Sequence, residues 1–289
     1  MKRTYYISLV TLIFVTLACG GTAPAGVSDQ SGIETIVAAT LQAVTQTAES
    51  KQPSQPTGIE ITYQNISFTI PDGLATGAKS ETVPSVDESG GGPWGVAPEY
   101  IQFTLADYPV VSEGLSPVIR IYPAKEYADV NPWAAISLEK LQAILTNPST
   151  PLTNENLSSV PFKGAAEQHY AAQAKLLVLN NGNGVRMLSQ YGQFPGRVIN
   201  NASFYHYEGL SNDGKYMITI VFPIVLPLQS TVENPEADGV PYPSDPIQDE
   251  TGINAYYQGI TDILNAASPD SFQPNLNTLD MLVQSIQIK

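Results

Sequence analysis

The sequence is poor in cysteine and histidine, with one cysteine, Cys19, and two histidines, His169 and His206. A single cysteine excludes a disulfide framework within the chain, so an exported domain has to be stabilised by its core. With two histidines, the chain has few residues that could form histidine-based metal or acid–base sites. The sequence also has no Gly-x-Ser-x-Gly, His-Glu-x-x-His or Walker motif. It therefore gives no specific support for a serine hydrolase, a zincin or a nucleotide-binding protein.

Positive charge is also scarce, because the chain has 13 lysines and arginines and 27 acidic residues, which gives a formal net charge of −14. Loss of an N-terminal leader containing Lys2 and Arg3 makes the chain two units more negative. Such a chain repels phosphate backbones, so nucleic acid is not an expected partner. Charged residues make up only 14%, beside 23 prolines, 22 glycines and 15 tyrosines. That balance is typical of secreted, β-rich domains.

The N-terminal segment has the order of an export signal. Lys2 and Arg3 precede an apolar run over residues 5–17, and the small residues Ala18-Cys19-Gly20-Gly21 follow. This is the charge, core and cleavage-site order of a leader peptide, and the run is too short to span a bilayer. We therefore predict a signal peptide over residues 1–18.

The residues Thr16-Leu17-Ala18-Cys19 resemble the lipobox of bacterial lipoproteins, although Leu17 stands two places before the cysteine and the usual place is three before. The resemblance implies cleavage before Cys19 and acylation of that residue. The mature chain would then be anchored to the outer face of the cell membrane. The alternative is an ordinary signal peptide and a secreted protein with a free thiol.

Residues 19–58 are predicted to be a tether. Within it, residues 32–49 place apolar side chains at helical spacing, which indicates an amphipathic helix. This helix could pack on the folded domain, pair with a copy of itself, or remain a marginal helix in a flexible segment. The proline-containing residues 51–58 follow as a linker.

Residues 59–289 are predicted to form a single α+β domain. Alternation of apolar and polar residues, with turn residues between the runs, predicts these strands: 59–63, 66–70, 100–105, 118–122, 174–179, 185–191, 203–210, 216–222 and 285–288. Helical spacing predicts three helices: 134–145, with Ile136 among its inward-facing residues, 253–266 and 276–283. We expect an antiparallel meander of hairpins with the helices mainly on one face.

Two hairpin turns and one long excursion are predicted between these elements. Residues 180–184 carry Asn-Gly turn chemistry and residues 212–214 carry Asp-Gly chemistry, where glycine accepts a positive φ. Residues 226–252 are rich in proline and acidic residues, which favours an exposed excursion. Its acidic part, 233–250, could bind calcium through carboxylates but lacks the spacing of a calcium loop, and a solvated turn is preferred.

The two ends of the domain resemble the PsbP-like α+β proteins. The opening strand is closed by Pro-x-Gly in Phe68-Thr69-Ile70-Pro71-Asp72-Gly73, and a closing helix leads into Ser285-Ile286-Gln287-Ile288. The chain also resembles bacterial surface lipoproteins that carry an Ala/Thr/Gln-rich helix after the cysteine. The PsbP-like family implies a role in binding and assembly, and it transfers no site residues to this chain.

Two sets of residues are candidates for a binding site. In the strand 203–210, alternation places His206 and Glu208 on one face and Tyr205 and Tyr207 on the other. The His206/Glu208 pair could transfer a proton or ligate a metal, but hydrogen bonding within the sheet is the simpler role. Trp94, Trp133, Tyr205 and Tyr207 could stack on a sugar or a partner surface, or else fill the core.

These observations favour a non-catalytic, membrane-anchored extracytoplasmic domain that binds a ligand or partner or assists envelope assembly. The membrane contact is made through Cys19, and the ligand is an unknown protein or carbohydrate. No cofactor, metal or catalytic residue is assigned. The alternative is an extracellular hydrolase that acts through paired carboxylates, whose geometry cannot be read from sequence spacing.

Overall fold

The computed structural model of the chain describes residues 57–112, 114–157, 166–200, 202–231, 234 and 236–289. The predicted leader, Cys19, the tether helix and most of the linker lie outside these residues, as does Glu233 of the acidic segment.

The described residues form ten β-strands and five α-helices. The strands β1 to β10 are Gly58–Tyr63, Ile66–Pro71, Gly77–Val83, Tyr100–Ala106, Val118–Pro123, Glu167–Leu179, Gly182–Gly192, Ser203–Ser211, Tyr216–Pro223 and Gln287–Ile288. The helices α1 to α5 are Glu88–Gly91, Ala124–Val130, Pro132–Thr146, Glu250–Ala266 and Leu276–Ser285.

The strands form two antiparallel sheets. The larger has seven strands in the order β3-β4-β5-β9-β8-β7-β6, and the smaller has the order β1-β2-β10. The large sheet consists of two meanders, β3 to β5 and β6 to β9, joined where β5 pairs with β9. The segment that contains α2 and α3 connects the two meanders.

The predicted α+β class and the meander of hairpins are confirmed. Seven of the predicted strands agree with β1, β2, β4, β5, β7, β8 and β9 to within a few residues. The structure also contains β3, α1 and α2, which sequence patterning did not indicate. β3 is an edge strand whose side chains are mostly half-buried on both faces, so it lacks the alternation that marks a strand with one buried face.

The helices differ from the prediction in their distribution, because they cover both faces of the large sheet. α4 and α5 pack on one face together with the small sheet, in a core that includes Tyr205, Ile218 and Phe222. On the opposite face, α2 packs near β5 and β9, and α3 packs near β7 and β8. The central strands require this second layer, since nearly every residue of β8 and β9 is buried.

In the turn between β6 and β7, glycine does not supply the positive φ that was predicted for it. Gly214 in the second hairpin has φ +72°, as expected, but Gly182 is not among the residues with positive φ. The first turn is instead made by Asn180 and Asn181, between the paired residues Leu179 and Gly182. Glycine is needed close by for space: a Cβ at Gly184 would lie 2.3 Å from the Glu208 carbonyl oxygen.

The same turn holds the end of the chain in place. Asn181 donates through Nδ2 to the Ile288 carbonyl and accepts from the Ile288 amide at 3.1 Å, and Asn180 Nδ2 donates to the Ser285 carbonyl at 3.1 Å. On the other side, Asn65 Nδ2 donates to the Lys289 carbonyl at 3.0 Å. The last residues are therefore bonded to the turns β6–β7 and β1–β2.

A buried ion pair joins α5 to the large sheet. Arg186 on β7 is 2% exposed and Asp280 on α5 is 4% exposed. Arg186 donates to the two carboxylate oxygens at 3.2 and 3.3 Å, and its third nitrogen donates to the Gln173 carbonyl at 2.5 Å. Tyr205 donates its hydroxyl to Asp280 Oδ1 at 3.0 Å, and Lys175 Nζ lies 2.6 Å from Oδ2. The Asp280 carboxylate thus connects α5 with β6, β7 and β8.

Burial, reinforced by the Asp280 carboxylate, raises the pKa of Tyr205 well above its ordinary value. Tyr205 is therefore a neutral donor, and Arg186 and Lys175 supply the compensating positive charge. Removing the carboxylate would leave the Arg186 guanidinium buried without its partner. Removing one partner of a buried ion pair lowers stability more than replacing both with apolar groups.

We expect Asp280→Ala to lower the free energy of unfolding by about 3–5 kcal/mol, the range for an orphaned buried charge. Urea titration of the full chain measures this change. The matched control is Asp129→Ala, which breaks the exposed Lys125–Asp129 pair and should leave stability nearly unchanged. Equal stability of both variants would show that the buried pair does not hold α5.

Candidate functional site

A groove of about 220 Å³ lies between α3 and the first residues of β6. We call it the α3–β6 groove. Its lining residues come from four stretches of the chain: Trp133, Ile136, Ser137 and Lys140 on α3, Asn154 and Leu157 after it, Ala166 to Gln168 at the start of β6, and Tyr191 on β7. Aromatic, apolar and polar side chains therefore meet in one concave surface.

The wall formed by α3 follows from the way this helix begins. Asn131 caps the helix, since its side-chain oxygen accepts from the amides of Trp133 and Ala134 at 3.0 and 3.1 Å. Its side-chain nitrogen donates to the carbonyls of Trp94 and Val96, which ties the helix start to the preceding loop. Pro132 fits the first helical position, where no amide is required.

One stripe of α3 packs on the sheet and the neighbouring stripe lines the groove. The buried stripe is Ala134, Ser137, Leu141 and Ile144. Ile136 was predicted to face inward, but it is 56% exposed and lies with Trp133, which is 38% exposed, at the i, i+3 spacing of one helix face. The prediction failed because the polar Ser137 takes a core position while an isoleucine stays outside.

The polar wall is held in one arrangement by hydrogen bonds. Tyr191 donates its hydroxyl to Gln168 Oε1 at 3.3 Å, and Gln168 Nε2 donates to Asn154 Oδ1 at 2.7 Å. Burial, with the nearby Glu208 carboxylate, raises the pKa of Tyr191 well above its ordinary value, so this hydroxyl stays neutral. Lys140 donates to the Glu155 carbonyl at 2.9 Å. These hydrogen bonds define the arrangement of the polar wall.

The predicted pair His206 and Glu208 lies beneath this groove. The two side chains share the sheet face with Phe204, as the alternation predicts, and each is 1% exposed. His206 Nε2 lies 3.1 Å from Glu208 Oε1, and Nδ1 lies 3.0 Å from the Ile220 carbonyl. Ser137 donates its hydroxyl to Glu208 Oε2 at 2.9 Å. The pair therefore bonds α3 to the centre of the sheet.

The proton positions follow from these partners. A carbonyl oxygen can only accept, so His206 Nδ1 carries a hydrogen. Because both carboxyl oxygens are engaged inside the protein, this pair serves to dock α3 and does not face the groove.

The other predicted binding residues separate in the structure. Tyr205 and Tyr207 are buried on the opposite sheet face, so neither ring can stack on an external ligand. The Tyr207 hydroxyl is buried without a hydrogen-bond partner among the described residues. Trp94 lies on the turn Pro93–Gly95 and is 36% exposed, but it does not line the groove. Of the six candidates, Trp133 alone lines the groove.

No family model matches the chain, and no curated protein or solved structure shows significant similarity to it. The resemblance to PsbP-like proteins and to lipoproteins thus stays a prediction. Within the described residues, no helix is long and apolar enough to cross a membrane.

The acidic excursion uses carboxylates to hold its own backbone. Asp238 accepts from the amides of Gln229 and Ser230, each at 2.8 Å, and Asp249 caps α4 by accepting from the Gly252 amide at 2.8 Å. In the part of the chain that the structure describes, no three histidine, cysteine or acidic side chains are grouped as metal ligands. A solvated turn stays the prediction for segment 233–250.

His169 lies on β6, away from His206, and holds the loop after β7. Its Nε2 lies 3.1 Å from the Phe194 carbonyl, and its ring stacks on Tyr257 with centroids 5.2 Å apart. A Cβ at Gly192 would come within 2.6 Å of the imidazole. Burial lowers the pKa of His169. The neutral ring, with its hydrogen on Nε2, is therefore the form that fits this site.

The lowered pKa of His169 predicts a loss of stability in acid. The unfolded chain, with an ordinary histidine pKa of 6.5, binds the proton more readily than the folded state. The stabilisation is therefore complete above that pH and is lost as the pH falls toward the folded-state pKa. Between about pH 7 and about pH 5, urea titrations should show a steeper fall in unfolding free energy for the natural protein than for His169→Gln. Parallel curves would contradict this assignment.

Proposed function

We propose that the protein is a non-catalytic, membrane-anchored extracytoplasmic lipoprotein whose folded domain binds a ligand in the α3–β6 groove. The observation that carries the proposal is the pairing of a partly exposed aromatic and apolar wall, Trp133 and Ile136, with the ordered polar wall of Gln168 and Asn154. Concave sites with apolar walls and a few fixed polar groups are the usual form of a ligand-binding site.

The arrangement of carboxylates favours binding over hydrolysis. A glycoside hydrolase needs two carboxyl groups that flank the substrate, one as acid and one as base or nucleophile. Among the described residues that line the groove, Glu167 is the sole carboxylate. Glu208 lies below it with both oxygens bonded to His206 and Ser137. An extracellular hydrolase thus lacks support at this site.

The anchor in this proposal is the predicted acyl modification of Cys19. Each buried methylene of a fatty acyl chain contributes about 0.8 kcal/mol, and two or more chains hold a protein stably on a bilayer. The residues between Cys19 and β1 would give the domain reach from the membrane surface.

We expect Cys19→Ala to move the protein from the membrane fraction to the soluble fraction of cells, because no acyl chain can then be attached. Partition between detergent and aqueous phases, followed by immunoblotting, measures this change. Ser28→Ala, a substitution in the same segment that leaves the cysteine intact, is the matched control. A Cys19→Ala protein that stays with the membrane would refute the lipid anchor.

The binding role can be tested because the chain has two tryptophans, one in the groove and one outside it. Labelling the full chain with 5-fluorotryptophan gives one resonance for Trp133 and one for Trp94, and the two side chains are similarly exposed at 38% and 36%. We expect small organic fragments to shift the Trp133 resonance selectively. Trp133→Phe, which removes the groove signal, assigns the two resonances.

Fragments that shift both resonances equally, or neither, would show that the groove is not a preferred binding site. Either result would contradict the proposed function. The fold of each labelled protein is checked by its urea unfolding curve.

A further inference from the structure

Resting on the proposed function, we infer that the α3–β6 groove binds a neutral oligosaccharide. Two aromatic rings line this groove. Trp133 stands on α3 and Tyr191 at the end of β7, so the groove has aromatic side chains from both the helix and the sheet. The weakly polar C–H face of a sugar ring can pack on such rings, while its hydroxyls remain available for hydrogen bonds.

The polar wall of the groove has the hydrogen-bonding chemistry that sugar hydroxyls require. Gln168 and Asn154 are planar amides, each able to donate and accept, and they are joined at 2.7 Å. One bond between them leaves further donor and acceptor positions on each amide. Sugar hydroxyls also donate and accept, so they match amides better than they match groups of a single polarity. Because the two amides are already hydrogen-bonded to each other, less side-chain entropy is lost on binding.

The charge of the groove also favours a neutral ligand. The chain carries a formal net charge of −14, yet the groove has one cation, Lys140, and one anion, Glu167, among its described lining residues. Lys140 is also hydrogen-bonded to the Glu155 carbonyl. A phosphate, sulfate or polyanionic ligand would meet a neutral site within an acidic protein, which opposes its binding. A neutral ligand carries no such penalty.

A peptide is the competing ligand, and it would bind by adding a strand to the edge of β6. The Gln168–Asn154 bond ties the loop after α3 to the first residues of that strand. The groove offers amide and aromatic side chains for recognition, which suits an oligosaccharide better than a strand that binds through its main chain.

The test uses the full chain labelled with 5-fluorotryptophan and hexamers of glucose and of N-acetylglucosamine as neutral probes. Hexagalacturonate is the anionic probe, and a mixture of unstructured hexapeptides is the peptide probe. We expect at least one neutral hexamer to shift the Trp133 resonance without shifting that of Trp94. Hexagalacturonate and the peptides should shift neither.

Gln168→Ala and Asn154→Ala should each weaken binding of that hexamer at least about tenfold, because the ordered amide pair is lost. Gln258→Ala removes an exposed amide on α4 that bonds to Asp262, and it is the matched control with unchanged affinity. An unshifted Trp94 resonance in each variant shows that the fold is intact.

If fragments shift Trp133 but no neutral hexamer does, or if hexagalacturonate or the peptides bind more tightly, the ligand class is overturned while the binding function stands. If neutral hexamers bind with equal affinity to the Gln168 and Asn154 variants, the amide wall does not recognise the sugar and the inference fails. If neither fragments nor hexamers shift Trp133, the proposed function and this inference fail together.

Discussion

The buried carboxylate of Asp280 is the constraint on which the larger core depends. It receives hydrogen bonds from Arg186 and Tyr205 and contacts Lys175, so one side chain of α5 is joined to three adjacent strands. Such a group is tolerated in an apolar core only where each charge is paired and hydrogen-bonded. The guanidinium also bonds the Gln173 carbonyl at the bulge of β6, and the Gln173 side chain caps the end of α4 by donating to the Leu264 and Ala267 carbonyls. Both helices of this face are therefore positioned by one polar network within an otherwise hydrophobic layer.

On the opposite face of the sheet, a smaller buried polar network positions α3. Ser137, Glu208 and His206 form a buried hydrogen-bonded chain that ends at the Ile220 carbonyl, and it joins α3 to β8 and β9. Around it, Leu141 and Ile144 of α3 pack with Met187 and Val185. The position of α3 decides whether a groove exists, because Trp133 and Ile136 reach the start of β6 only when the buried stripe of the helix is seated. The candidate site is thus a consequence of how the second layer is docked, and the loop after α3 adds Asn154 and Leu157 to its walls.

Much of the sheet could be predicted from the sequence, because alternation is a local property and turn residues bound each strand. β3 could not be predicted, because a half-buried edge strand has no strong alternation. The position of helices on the second face could not be predicted either, because it depends on strands that are buried on both faces. Arg186 within Val185-Arg186-Met187 and Asp280 within Leu279-Asp280-Met281 are lone charges in apolar runs, a signal of burial, but their pairing joins residues far apart in the chain. The groove is harder still: Trp133, Asn154, Gln168 and Tyr191 lie on separate elements, and only the tertiary fold brings them together. The Ala18-Cys19 site is also a local signal, but it predicts a cellular location and carries no information about the fold.

The clamp on the last residues has a consequence for how the domain assembles. Asn65 and Lys289 are 224 positions apart, and β10 completes a sheet whose other two strands open the domain. Closing contacts of such long range requires most of the chain entropy to be lost before the contacts stabilise the fold, which slows folding. The small sheet cannot be completed while the C-terminal segment is still being synthesised. A partly synthesised chain therefore lacks the third strand of this sheet, and β1 and β2 have only each other to pair with.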